Sequence, residues 1–194
     1  MKAKLRISFL LSKMRPLKLH LGCGNRNFGK DWIHIDRSNY KHIKSKDVIN
    51  FKYRNVDLIY SSHMITYFNR DELKSILKTW KKKLKVGGIL RLSVTDFKVI
   101  SKLYLKKKIK LPQILGPLFG KWKIKGKNDF VYMKTTYDYE CLKNILMQAG
   151  YKKIKKWDWR KIDHGKFDDH SQAYIPHMDK KNGVMISLNI QAQK

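Results

Sequence analysis

The stretch from Lys18 to Asp36 reads Lys-Leu-His-Leu-Gly-Cys-Gly-Asn-Arg-Asn-Phe-Gly-Lys-Asp-Trp-Ile-His-Ile-Asp: a short strand, a glycine turn and a second strand ending on a carboxylate. Leu17, Leu19 and Leu21 alternate as a half-buried strand does. Gly22 and Gly24 then flank Cys23, so the turn carries almost no side-chain bulk and its backbone can approach a ligand closely. Asp36 stands where nucleotide-cradling units place an acid on ribose hydroxyls. The pyrophosphate pattern G-x-G-x-x-G is not met, because Asn27 lies three residues after Gly24 and Gly29 comes later. A ribose-bearing ligand without a pyrophosphate therefore fits better than NAD.

With 194 residues, the chain has material for one well-buried domain and little for a second. A basic leader over residues 1–16 precedes the domain at 17–194, which carries an insertion at about 108–134. The leader's apolar centre, Leu5 to Leu11, is short and lacks a small-residue cleavage site, so it does not read as a signal peptide. No apolar run reaches transmembrane length. Two cysteines, Cys23 and Cys141, do not make a disulfide framework, which favours a cytoplasmic or other intracellular reducing compartment. The formal net charge of +29 predicts attraction to RNA, anionic lipid or another polyanion, including peripheral association with an anionic surface or a nucleoprotein assembly. A lysine-heavy genomic composition would give the same charge without a function, although glutamate occurs only at Glu72 and Glu140.

Further strands are expected at Trp32 to Ile35, Val56 to Tyr60, Ile89 to Val94, Lys152 to Trp159 and Val184 to Ile190, with either His42-Ile43 or Val48-Ile49 as a third strand. The connection after Gly24 leads toward a first helix but is short for a long one. Leu73, Ile76, Leu77, Trp80 and Leu84 recur at helical spacing over Arg70 to Leu84. Asp96 is expected to cap a helix through about Leu105, and Thr136 one over Tyr137 to Gln148 that ends at Gly150. Between Leu111 and Lys134, prolines and glycines among Leu115, Phe119, Trp122 and Phe130 suggest a shaped aromatic insertion, either a lid over a pocket or plain packing.

The Leu-Gly-Cys-Gly-Asn turn, Val56 to His63 and Leu84 to Val94, in that order, resemble a class I S-adenosylmethionine-dependent methyltransferase. The order of segments through Asp168 to Tyr174 is similar to a small group of predicted methyltransferases associated with bacterial surface-glycan genes. The resemblance spans roughly Leu17 to Ile190. It implies an α/β fold: a Rossmann-like, mostly parallel sheet with an antiparallel C-terminal strand, flanked by helices. It also implies S-adenosylmethionine as cofactor, held by Leu21, Gly22, Cys23, Gly24 and Asp36. Asp47 and the residues after the fourth strand, Ser61 and Ser62, would complete the cofactor site. A sugar, glycan or other small molecule is the implied acceptor.

Candidate catalytic groups are His63, just beyond the fourth strand, and the neighbours Asp169 and His170, whose carboxylate could orient an imidazole that removes a hydroxyl proton. Cys23 reads as a small filler, since nothing in the sequence supplies an activating partner. The polar block from Asp158 to Tyr174 suits either a pocket for a hydroxylated acceptor or a loop whose groups satisfy one another. Acceptor-binding candidates are Trp159, Arg160, Ser171, Gln172 and Tyr174 there, with Trp122 and Tyr137 before them. Asp168, Asp169, His170 and His177 lack a spacing selective for a metal, and none is assigned. Two rival functions stay open. Trp80, Trp122, Trp157 and Trp159 with the basic charge would suit RNA methylation. The compressed Ser38 to Asn55 interval would suit a non-catalytic nucleic-acid-binding or structural protein on the same fold.

Overall fold

The computed structural model describes residues 15–194 except 124, 126 and 127, so nearly all of the basic leader lies outside the described residues. Strands β1 (Lys18–Leu21), β2 (Trp32–Ile35), β3 (Ile43–Ser45), β4 (Val56–Ser62), β5 (Leu84–Thr95), β8 (Lys152–Lys156) and β11 (Ser187–Gln193) form one sheet in the order β3-β2-β1-β4-β5-β11-β8. The pairs from β3 through β5 are parallel, and β11 runs antiparallel to both β5 and β8. The reversal of order between β2-β1 and β4 makes a crevice at the carboxyl ends of β1 and β4.

Helices α1 (Arg70–Lys83) and α4 (Tyr139–Gln148) cover one face of the sheet. Glu72 in the first turn of α1 reaches back to the Asn69 N–H (3.4 Å), and lysines fill its last turn, both favourable to the helix dipole. Leu73, Leu77 and Trp80 of α1 and Leu142 and Leu146 of α4 pack on Leu19, Leu21, Ile59, Leu90 and Ile190. Alternate residues of the same strands meet different company on the second face. His20, His34 and Tyr60 lie there against Phe28, Trp32, Trp157, His164 and Phe167.

Several expectations change. Residues Gly22 to Asp31 form turns with no helix, and Phe28 from this loop covers the second face where a helix would otherwise pack. The third strand takes Ile43 to Ser45, while Val48 is buried in the following loop. Strand β5 starts at Leu84, directly after α1, and passes through Gly87-Gly88; a Cβ at Gly88 would sit 2.8 Å from the Val56 carbonyl oxygen, so a side chain would break the approach to β4. Asp138 caps α4, its Oδ1 accepting from the Cys141 N–H (2.8 Å), whereas the buried Thr136 hydroxyl has no partner among the described residues. Asp96 caps α2 (Phe97–Leu105). The insertion holds a third helix, α3 (Leu111–Phe119), and the hairpin β6 (Trp122–Lys123) with β7 (Phe130–Val131). A second small pair, β9 (Tyr174–Ile175) with β10 (Val184–Met185), lies before β11.

Candidate active site

Gly22 and Gly24 adopt φ of +67° and +55°, a backbone region that favours glycine. The Gly22 N–H donates to the Ile35 carbonyl (2.8 Å), tying the end of β1 to the end of β2. Asp36, directly after β2, then receives two backbone donors: Gly24 N–H on Oδ2 (2.9 Å) and Ser38 N–H on Oδ1 (2.7 Å). The carboxylate is thereby fixed beside the turn and half-buried. A Cβ on Gly22 would lie 2.6 Å from the Met64 side chain, and one on Gly24 3.2 Å from the Trp122 ring. Leu21 is fully buried and faces the core, so it supports the turn from below. Burial and the Asp36 charge push the Cys23 thiol up to about 12, which keeps it protonated and unreactive at neutral pH.

This turn forms the floor of a cavity of about 1500 Å³. Asp36, Ser62 and His63 line it from the strand ends, Val48 and Ile49 add an apolar wall, and Trp122 closes over Gly24. Inner residues of α3, among them Gln113 and Pro117, and the segment from Ala173 to Met178 complete the enclosure. The Ser62 hydroxyl and His63 Nε2 are buried with no partner among the described residues. Both residues line the cavity wall, where buried polar groups are normally paired.

His63 sits at φ +54°, uncommon for a side-chain-bearing residue; its N–H donates to the Ser93 carbonyl (2.8 Å) and its carbonyl accepts from the Thr66 hydroxyl (2.8 Å). Burial, reinforced by His170, lowers its pKa to about 3, so it is neutral and a weak base. The His170 ring lies 5.4 Å from it, centroid to centroid, and opens to the cavity. Surrounding protein and the Arg26 guanidinium, 3.5 Å from its Nε2, hold the His170 pKa below the ordinary value. Asp169 is buried and turned away from that ring. One of its oxygens accepts from the Tyr60 hydroxyl beneath the sheet, and Oδ1 accepts from the Ser171 N–H (2.8 Å). The structure thus unites His63 with His170 but does not set the Asp169 carboxylate on the imidazole.

The acceptor candidates divide. Trp122 and Tyr174 line the cavity. Tyr137 belongs to the helical-face core, where burial pushes its phenol up to about 12. Trp159 packs on the second face and donates to the Tyr174 hydroxyl (3.4 Å). Arg160 is exposed and doubly bonded to Asp158. Ser171 is buried with its carbonyl bonded to Asn189, and Gln172 spends its amide on the Gly165 and Phe167 carbonyls. Most of the polar block therefore satisfies itself. Ser61 is buried off the cavity, and Asp47 caps the Ile49 and Asn50 N–H groups in an exposed turn (2.9 and 2.7 Å). Arg26, Val48, Ile49 and Met64 were not among the candidates. Val48-Ile49 reads as a strand in sequence, and only its position beside Asp36 reveals the wall.

Comparison with solved structures shows which fold this is. A methyltransferase from Archaeoglobus fulgidus, described as S-adenosylmethionine-dependent, superposes with a TM-score of 0.53 at 16% identity, over 100% of this chain and 92% of its own. One from Clostridium acetobutylicum, described in the same way, gives 0.54 at 14%, over 96% and 89%. The fold is that of the class I methyltransferases. The DhpI protein, solved as a complex with SAH, also shares it, with a TM-score of 0.53 at 9% identity over 98% of this chain and 83% of its own. No family model matches the sequence, and no curated protein matches it.

Proposed function

We propose that this chain transfers a methyl group from S-adenosylmethionine to a hydroxyl of a small acceptor, a sugar being the first candidate. The observation that carries the reading is the Asp36 carboxylate, fixed by the Gly24 and Ser38 N–H groups at the end of β2 on the wall of the cavity. An acid held there suits two ribose hydroxyls. Val48 and Ile49 suit an adenine face, and Arg26 is a countercharge for a carboxylate. The bound cofactor would supply an activated methyl group on a good leaving group.

The residues of the chain then have to align the acceptor, exclude water and take up one proton. His170 is the better-placed proton acceptor, because it opens to the cavity while burial makes His63 a poor base. The neutral His63 can donate or accept one hydrogen bond and orient the acceptor. The roof of α3 and Trp122 suits a small acceptor over a polymer threaded through an open groove.

Calorimetric titration of nucleic-acid-free protein with S-adenosylmethionine tests the cofactor site. Micromolar binding that falls at least about tenfold in Asp36→Ala is expected, about the worth of a lost charged hydrogen-bond partner. Asp36→Asn, which keeps one acceptor, guards against misfolding and should bind at an intermediate level. Folded wild type that does not bind would overturn the proposal.

A further inference from the structure

The helical insertion has two sides, and only the inner one belongs to the cavity. Gln113, Gly116 and Pro117 of α3 face inward. Leu111, Leu115 and Phe119, spaced four residues apart on the same helix, are 51%, 44% and 55% exposed. Ile114, between them, is buried with Ile100 and Ile109 in a small separate core under α2 and α3. At the tip of this helical pair Leu105 is 78% exposed, and Tyr104 beside it is also open. Isolated exposed apolar residues need no explanation, whereas a helical stripe continued by the adjoining helix end marks an interaction surface.

The charge around the stripe is of one sign. Between Asp96 and Asp129 the sequence has ten lysines and no acidic residue. Lys98, Lys102, Lys106, Lys107, Lys108 and Lys110 are exposed on α2 and its connection to α3. None of these six forms an ion pair among the described residues. Lys121 and Lys123 flank Phe130 on the adjoining hairpin, which is tied to α3 where the Met133 N–H donates to the Phe119 carbonyl (2.7 Å).

We propose that the outer face of α2 and α3 docks on an anionic lipid surface. Leucine and phenylalanine side chains enter the headgroup boundary, and the surrounding lysines meet lipid phosphates. Leu105, the most exposed of these residues, and the half-exposed Leu111 and Leu115 are aliphatic, which fits a bilayer better than RNA, whose bases call for flat rings and hydrogen-bonding groups. No helix of the described residues is long and apolar enough to cross a membrane. Docking needs no cofactor, so this proposal stands or falls separately from the methyl-transfer reading.

The experiment is sedimentation of the full chain with vesicles of phosphatidylcholine alone or with 30% phosphatidylserine. Binding to the anionic vesicles only, weakened by salt, is expected. The triple variant L105S/L115S/F119S and the quadruple variant K106Q/K107Q/K108Q/K110Q should each lose at least about tenfold in affinity, with circular dichroism and S-adenosylmethionine binding kept as checks on folding. Wild type that ignores anionic vesicles would overturn the proposal. So would affinity unchanged in both folded variants, which would put the contact elsewhere in the chain. Light scattering that shows a dimer broken by the triple variant would assign the stripe to a second copy, and tight RNA binding lost only in the lysine variant would assign it to nucleic acid.

Discussion

The two faces of the seven-stranded sheet are built from alternate residues of the same strands, yet different interactions hold them. On the helical face, Leu19, Leu21, Ile59, Leu90 and Ile190 meet α1 and α4 through apolar contact alone. On the other, His20 stacks on Phe28 at 4.2 Å, His164 contacts Arg91 at 3.1 Å, and the Tyr60 hydroxyl bonds Asp169. A mostly parallel sheet usually carries apolar residues on both faces. Here the loop after Gly24 is too short for a helix, and its Phe28 together with turns from the second half of the chain supplies the missing cover. Such turns bring backbone and polar side chains, so the strands present partners that can both stack and hydrogen-bond. This cover also carries His170 to the cavity. The second face therefore supports the candidate site, while the first supports the fold.

Acid should separate the two faces most sharply. Burial lowers the pKa of His34 to about 4 and of His164 to about 3 on the second face, and that of His63 at the cavity to about 3. Folded histidines that resist protonation release stability when the unfolded chain takes up protons. The loss begins as pH falls through the unfolded value near 6.5 and continues down to the folded values. The limit is about 1.4 kcal/mol per pH unit for each histidine. Urea midpoints measured from pH 7.5 to 5 should fall steeply, and a flat profile would show that these rings are not buried as neutral groups.

The helical face should be insensitive to that titration but intolerant of cavities. Trp80 is fully buried and donates to the Val48 carbonyl (3.0 Å), so Trp80→Ala should cost about 3–5 kcal/mol, with the same increment at pH 7.5 and pH 6. A smaller effect sharpens the link between the second face and the site. Tyr60→Phe removes a donor from the buried Asp169 carboxylate and should cost about 1–3 kcal/mol. Because Asp169 anchors the turn that carries His170, the same change should lower turnover while leaving S-adenosylmethionine affinity near wild type. Equal losses in both readouts would show general loosening. The smallest effect is expected from Arg160→Ala, whose side chain is exposed and, among the described residues, paired only with Asp158. It should leave melting temperature, cofactor affinity and turnover unchanged, and a drop in turnover would return Arg160 to the acceptor site.

Local patterns were readable where chemistry and geometry coincide along the chain. Alternation around Leu19, the spacing of Leu73, Leu77 and Trp80, and the run from Gly22 to Asp36 each describe local geometry, so the first strand, a buried helix face and the carboxylate beside the turn could be anticipated. Asp169 and His170 show where such reading stops. They are adjacent in sequence and polar alike, but in the turn one side chain bonds Tyr60 beneath the sheet while the other opens to the cavity. Trp122 and Tyr137 were equally plausible as acceptor contacts, and packing sent the first over Gly24 and the second into the core. By itself the sequence determined the central strands, the buried helix face and the glycine turn beside Asp36, because hydrophobic period and glycine geometry act locally. Only the tertiary structure decided which polar groups face the cavity, because that depends on the direction of each side chain once distant loops close over the sheet.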